Sequence, residues 1–248
     1  MSKHIDYDVK NHVATITITR PEVKNAIDKT THKQLFEAFT NANEDKDVKV
    51  IVLTGAGDSF SSGADLKSIP LEEVESMDYG DYLKETYNKL LLYLDSIEKP
   101  TVAFINGFAA GAGLSLALAC DFRSASYDAK FALSFLKIGL VPDAGASFFL
   151  PRLVGLSKAL ELALGDPIAA EEAYRIGLIH QIGEPTALIS QLVSQSQTAY
   201  GYMKKNMKSS FEHSLADVLQ QEVHAQRLAG KTKEHRAAVL SFIQKKKK

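Results

Sequence analysis

From Val13 to Ile18 the chain reads Val-Ala-Thr-Ile-Thr-Ile, so apolar and polar side chains change face at each residue. That period of two predicts a half-buried strand, and Ile5 to Val9, set off by Asn11-His12, predicts the other arm of a hairpin. Arg20-Pro21 stops the strand. Between Asp28 and Asn43 the residues Leu35, Phe36, Ala38, Phe39 and Ala42 recur at helical spacing, so a helix follows. Val48 to Thr54 is a nearly unbroken apolar run that predicts a buried strand, closed by Gly55-Ala-Gly57. Leu71 to Asp95 predicts one helix carrying Tyr82, Leu83, Tyr87, Leu90, Leu91 and Leu94 on one side, with Pro100 ending the segment. Thr101 to Asn106 predicts a third strand, Gly107 to Gly113 a glycine-alanine turn, and Leu114 to Ala119 a helix body of small residues suited to close packing. Asp121 to Ala125 and Lys130 to Leu133 predict short strands, and beyond Ser157 the pattern is almost wholly helical.

Strands alternating with helices predict an α/β fold with parallel units and right-handed crossovers. The division expected is a core over residues 1–185 and a helical region over 186–248. No repeat with a period of roughly 20 to 50 residues is present, and the terminal lysines Lys245 to Lys248 read as a frayed, solvated helix end.

Composition narrows the chemistry. A net charge of −1 over 248 residues provides no global field for nucleic acid or an anionic membrane, so a partner must be recognised locally. The single cysteine, Cys120, sits in an apolar run and reads as a buried, inert thiol; it excludes an internal disulfide. The N-terminus lacks the basic-then-apolar pattern of a signal peptide, and no run reaches the roughly 18 apolar residues of a spanning helix, which points to a cytoplasmic protein. The seven histidines form no metal-binding pair; His213, His224 and His235 read as polar helix positions, and no metal is expected.

Candidate chemistry concentrates in three small-residue segments: Phe60-Ser-Ser-Gly-Ala-Asp-Leu66, Gly107-Phe-Ala-Ala-Gly-Ala-Gly113 and Gly139-Leu-Val-Pro-Asp-Ala-Gly-Ala-Ser147. In α/β sheets ligands bind at the carboxyl ends of strands, and small residues there let backbone N–H groups face a ligand. Two such groups near a helix N-terminus form an oxyanion hole, each donor contributing roughly 2.7 to 4 kcal/mol in the transition state. The Gly107 segment lacks the dinucleotide-binding spacing. Asp143 has no acidic neighbour between Asp128 and Glu161. In that apolar setting desolvation raises a carboxylate above its reference pKa of about 3.9 and suits it to take and return a proton near neutrality. The plain alternative is a turn or cap Asp after Pro142. Tyr79, Tyr82 and Tyr87 read first as helical core or surface positions and second as an acyl-pocket wall. Glu72, Glu73 and Glu75 read as a solvated face, and as distant second carboxylates only if their helix folds over the site; Asp121 and Arg152 read as packing or capping residues.

Together these segments, with Thr-Arg-Pro-Glu-Val-Lys-Asn-Ala over 19–26, Ile-Asn-Gly followed by the glycine-alanine helix start over 105–121, and Gly-Leu-Val-Pro-Asp-Ala-Gly over 139–145, resemble the crotonase superfamily, the enoyl-CoA hydratase/isomerase family. The resemblance runs nearly the whole chain, although the segment between Gly183 and Gly201 is shorter than the family pattern. It implies a crotonase-like spiral of ββα units over 1–185, a helical C-terminal trimerisation region over 186–248, and an acyl-CoA thioester held with its carbonyl oxygen between two backbone N–H groups. By position those donors are Ala64 and Ala112. Lys24, Ser62, Ala64, Asp65, Leu66, Gly111 and Phe135 are the substrate-binding positions it implies, with Lys24 against a phosphate. Coenzyme A enters as part of the substrate and no separate cofactor is implied; a homotrimer or dimer of trimers is.

Hydratases of this family use two glutamates, and Ser115 and Phe135 stand in their places. Asp143 falls where Δ3,Δ2-enoyl-CoA isomerases carry a lone glutamate and ring-epoxide phenylacetyl-CoA isomerases an aspartate. The expected function is therefore acyl-CoA isomerisation by a one-carboxylate proton shuttle on an oxyanion-stabilised enolate, moving a double bond or opening or expanding a ring epoxide. Hydration by an atypical site is one alternative. A 4-chlorobenzoyl-CoA dehalogenase, with Asp143 as nucleophile, is another, disfavoured by the absence of Trp. A non-catalytic acyl-CoA-binding or RNA-binding protein on the same scaffold is a third.

Overall fold

The computed structural model describes residues 3–70, 72 and 76–245; the expectations for Leu71, Glu73, Glu75 and the last three lysines lie outside them. Strands β1 (Ile5–Lys10) and β2 (Val13–Ile18) form the predicted antiparallel hairpin, and Ala14, Ile16 and Ile18 point into the core. Helix α1 (Lys29–Glu44) follows, capped by Asp28, whose side chain accepts from the Thr31 N–H. β3 (Val50–Gly55) pairs parallel to β2, and β4 (Ser59–Ser61) starts a second sheet. The predicted helix over 71–95 is broken: α2 (Tyr79–Glu85) and α3 (Tyr87–Ser96) meet at Thr86, whose backbone leaves the helical region at φ −117° and ψ −87° while its N–H and hydroxyl both donate to the Tyr82 carbonyl.

β5 (Thr101–Ile105), β6 (Phe108–Ala110), α4 (Gly111–Ala119), β7 (Phe122–Ala125) and β8 (Lys130–Ala132) come next. The turn predicted over 107–113 is thus a three-residue strand running directly into a helix. Helices α5 (Ala146–Val154), α6 (Leu156–Ala163) and α7 (Ala170–Arg175), the two-residue strands β9 (Ile168–Ala169) and β10 (Gln181–Ile182), and helices α8 (Thr186–Val193), α9 (Gln197–Ser209), α10 (Leu215–Ala229) and α11 (Lys233–Lys245) complete the chain. One sheet has the order β1-β2-β3-β5-β7-β10, parallel except at β1; the other has the order β4-β6-β8-β9. No helix of the described residues is long and apolar enough to cross a membrane.

β3 is buried on both faces, which explains its continuous apolar run. Ile51 and Leu53 face the main core, whereas Val50 and Val52 pack with Val102 against Leu192 and Tyr200 from α8 and α9. Asp121 ties α9 down: it accepts from the Thr101 N–H at 2.9 Å, the Tyr200 hydroxyl at 3.2 Å and the Lys204 ammonium at 2.8 Å. Cys120 is buried as expected, its thiol pushed up to about 12 by that burial.

Helix α4 is buried from Ala112 to Ala119, so its lack of an amphipathic pattern is that of a core helix. Its start lies against β4. A Cβ on Gly113 would sit 2.6 Å from the Ser61 carbonyl oxygen and side chain, so only glycine permits this approach. Gly113→Ala is expected to lower stability by about 1–3 kcal/mol through overpacking, read from the midpoint of urea unfolding at constant slope. An unchanged midpoint contradicts this packing role.

Candidate active site

Three backbone segments meet where α4 begins. In the first, Asn25 anchors the loop before β4 from below: fully buried, it donates to the Ala56 and Ser59 carbonyls and accepts the Arg20 N–H. Arg20 in turn reaches the Ala26 carbonyl at 2.6 Å and the Asp65 carboxylate at 2.9 Å. The polar residues of the 19–26 stretch therefore hold the wall in place from behind.

Ala64 bridges to Ile27 in parallel fashion. The Ile27 N–H donates to the Gly63 carbonyl and the Asp65 N–H to the Ile27 carbonyl. In such a bridge the flanking residues make the hydrogen bonds, and the N–H of Ala64 points away from Ile27. Ala112 is the second residue of α4, where a backbone N–H has no acceptor within the helix. The loop carrying Ala64 packs tightly on this helix start: a Cβ on Gly63, at φ +94°, would lie 3.2 Å from the Ala112 nitrogen. Both alanines line one cavity of about 770 Å³.

The opposite wall carries Asp143. Its carbonyl accepts from the Ala146 N–H at 3.0 Å, and Ala144 and Gly145 both take positive φ, 49° and 80°, to turn the chain into α5. Left-handed backbone at a non-glycine residue is uncommon, and here it directly follows the carboxylate. The Asp143 side chain does not cap α5, and its Oδ1 is buried with no hydrogen-bond partner. Burial pushes its pKa up to about 6. The turn-or-cap reading of Asp143 is thus not what its side chain does.

Ser62, Ala64, Asp65, Leu66, Gly111, Ala112, Phe135 and Asp143 all line this cavity. Lys24 does not; its ammonium lies 6.0 Å from the centre of the Phe108 ring. Ser115 is fully buried and its hydroxyl donates to the Gly111 carbonyl. Among the described residues, the cavity's other acids are engaged or peripheral. Asp65 pairs with Arg20, Asp28 and Asp78 cap helices, and Asp81 and Glu85 are exposed.

Tyr79, Tyr82 and Tyr87 also line the cavity, as their second reading had it, while Tyr87 belongs to the buried core and Tyr82 packs against it, as the first had it. Five residues apart, Tyr82 and Tyr87 would point in different directions on a regular helix; the break at Thr86 brings their rings to 6.4 Å between centres. Behind Tyr87 stands His32, edge-on at 4.0 Å between ring centres, buried and held neutral by a pKa lowered to about 4. Asp121 and Arg152 are structural as expected, Arg152 stacking on Phe148.

This geometry has counterparts among known proteins. The enoyl-CoA hydratase/isomerase family model matches residues 8–248. The chain belongs to that family. It is 34% identical over 255 residues to the 1,2-epoxyphenylacetyl-CoA isomerase of Escherichia coli strain K12, covering 99% of this chain and 97% of that protein. It is 31% identical to the crotonyl-CoA hydratase of Syntrophomonas wolfei, covering 99% and 96%. A crystal structure of enoyl-CoA hydratase/isomerase from Cupriavidus metallidurans CH34 superposes with a TM-score of 0.89 at 31% identity, covering 98% of this chain and 94% of that one. The crotonase fold, with its C-terminal helices, is thereby shown. The relatives carry both isomerase and hydratase names.

Ionising Asp143 costs more in the folded chain than in the unfolded one, where the carboxyl titrates near about 3.9. Its protonated form therefore stabilises the fold at low pH, and that contribution is lost as pH rises through about 6. Asp143→Asn is expected to melt higher than the unsubstituted chain at pH 8, with the gap narrowing on acidification between about pH 6 and about pH 4. A gap that is the same at every pH, in melting followed by circular dichroism, contradicts the raised pKa.

Proposed function

We propose that this protein isomerises an acyl-CoA thioester, with Asp143 as the only carboxylate that moves a proton. The carrying observation is one desolvated carboxylate with an unpartnered oxygen, in the same cavity as two backbone N–H groups suited to a thioester oxygen. With the carbonyl oxygen on the Ala64 and Ala112 N–H groups, Asp143 takes a proton from a carbon next to the carbonyl or its vinylogue. The electron pair passes into the enolate and the charge comes to rest on the thioester oxygen. Return of the same proton to the other carbon moves the double bond, and nothing is gained or lost. On a ring-epoxide acyl group the electron pair left at the acidic carbon forms a double bond to the ring as an epoxide C–O bond breaks, and the alkoxide takes back the proton held by Asp143, which opens the epoxide; if the C–C bond shared by the epoxide and the ring breaks instead, the proton returns to a ring carbon and the ring expands. The thioester carries coenzyme A with it, so the chemistry calls for no resident cofactor or metal; Ser62, Asp65 and Leu66 lie on the nucleotide and pantetheine side.

Hydration needs a second acid or base to handle water. Phe135 supplies none, Ser115 is buried with its hydroxyl bonded to Gly111, and the other cavity acids among the described residues are engaged or exposed. The family relation to a 1,2-epoxyphenylacetyl-CoA isomerase supports the isomerase reading. Self-association, as a trimer or dimer of trimers, is part of the same proposal. Exposed apolar residues such as Phe211, Leu215 and Leu219 on and before α10 support it.

Asp143→Asn is expected to lower isomerase turnover on 3-enoyl-CoA by roughly 10²-fold or more, and Ser115→Ala to change it little. The log of kcat/KM should fall on the acid side with an apparent pKa near about 6, because the base must be ionised. Near-normal turnover by Asp143→Asn, or rapid hydration of 2-enoyl-CoA without isomerisation, contradicts the proposal. Ala112→Pro removes one donor at a helix position that tolerates proline and is expected to cost roughly 10²–10³-fold in kcat; a folded, fully active variant contradicts the oxyanion role. Sedimentation is expected to give a multiple of 27.1 kDa, and a fully active monomer contradicts assembly.

A further inference from the structure

The cavity wall holds a second unpartnered polar group besides Asp143. Tyr87 is 1% exposed, and its hydroxyl is buried with no hydrogen-bond partner. Its ring is fixed on one side by the edge-on contact with His32, and it opens α3 directly after the break at Thr86. His32 does not satisfy the hydroxyl, since both ring nitrogens are themselves without partners. Burial, with smaller contributions from Tyr82 and then Asp143, holds the Tyr87 phenol in its protonated, hydrogen-bond-donating form. One cavity thus contains an unused donor at Tyr87 and an unused acceptor at Asp143 that do not bond to each other.

A buried polar group left unpaired costs about 1–3 kcal/mol, and filling the cavity with a hydrocarbon acyl chain leaves the tyrosine in that condition. An oxygen atom on the acyl group relieves it. We propose that the Tyr87 hydroxyl donates a hydrogen bond to an oxygen carried by the acyl group close to its reacting carbons, and so selects oxygenated acyl thioesters over plain hydrocarbon ones. This rests on the acyl-CoA reading of the cavity and adds a specificity-determining residue to it. No bond is made or broken by Tyr87 in this role.

The test is binding, which does not depend on turnover. Phenylacetyl-CoA, (2-hydroxyphenyl)acetyl-CoA and (2-methylphenyl)acetyl-CoA place hydrogen, hydroxyl or a methyl of similar size on the ring carbon two bonds from the acidic carbon. Calorimetric titration of the unsubstituted protein is expected to show the hydroxyl compound binding about tenfold more tightly than the other two. In Tyr87→Phe, which keeps the ring packed on His32, the three are expected to bind within about twofold of one another. Equal binding of the hydroxyl and methyl compounds to the unsubstituted protein overturns the inference without any variant being needed. A hydroxyl preference that persists in folded Tyr87→Phe also overturns it, since the contact then belongs to another group. If phenylacetyl-CoA binds with no hydroxyl preference, only this inference fails; if none of the thioesters binds, the acyl-CoA reading fails with it.

Discussion

Contact between the backbone of β4 and the first turn of α4 sets the site. Gly113 sits against Ser61 at a distance that no side chain can share, and a Cβ on Gly63 would lie 3.0 Å from the carbonyl oxygen of Ala110. These contacts bring a strand end and a helix start together so that two N–H groups, at Ala64 and Ala112, line the same space. Neither donor is a side chain and neither is free to rotate. Their direction is settled by folding, and the electrostatic stabilisation they offer needs little reorganisation when charge develops.

Against this fixed pair stands a carboxylate kept in an unfavourable place. Asp143 is raised by burial alone, without a partner for Oδ1, next to two left-handed residues. Each feature costs stability, and a capped or solvated aspartate would avoid both penalties. The same desolvation tunes the group toward neutrality, where it can accept a proton from carbon and give it back. Tyr87 and His32 continue the pattern on the adjoining wall, as buried polar atoms left open toward the cavity or behind it. Among the described residues the other buried side-chain polar atoms without a partner belong to Gln197 at the start of α9, while Arg123, the largest fully buried side chain, has its guanidinium bonded to the carbonyls of Leu178, Cys120 and Leu118.

Much of this was legible in the chain. The alternation over 13–18, the apolar run over 48–54 and the small-residue segments around Gly63, Gly111 and Asp143 marked the strands and the cavity walls because they obey local rules of period and sterics. Lys24 matched the family pattern, yet its ammonium lies away from the cavity beside Phe108. The strands β4, β6, β9 and β10 are two or three residues long and gain their identity only from pairing partners distant in sequence. Tyr82 and Tyr87 read as a pocket wall only in second place for a related reason. Their helical stripe looked continuous, and nothing local announced that Thr86 would break it and turn both rings toward one space. A five-residue interval between two tyrosines on an otherwise regular apolar face was the available signal. The covering of β3 by α8 and α9 was likewise hidden, although Val50 and Val52 required some partner on the far face.

Carbon–hydrogen bond cleavage by Asp143 can be observed without any net reaction. A saturated acyl-CoA cannot isomerise, but its acidic proton next to the carbonyl can still exchange with deuterated water when the oxyanion donors and the base act together. Mass spectrometry of such a thioester incubated with the unsubstituted protein should show protein-dependent deuterium uptake at that carbon, and incubation with Asp143→Asn should show none above background. Uptake at an undiminished rate in Asp143→Asn, or none with the unsubstituted protein while the thioester is bound, would contradict proton transfer by this carboxylate.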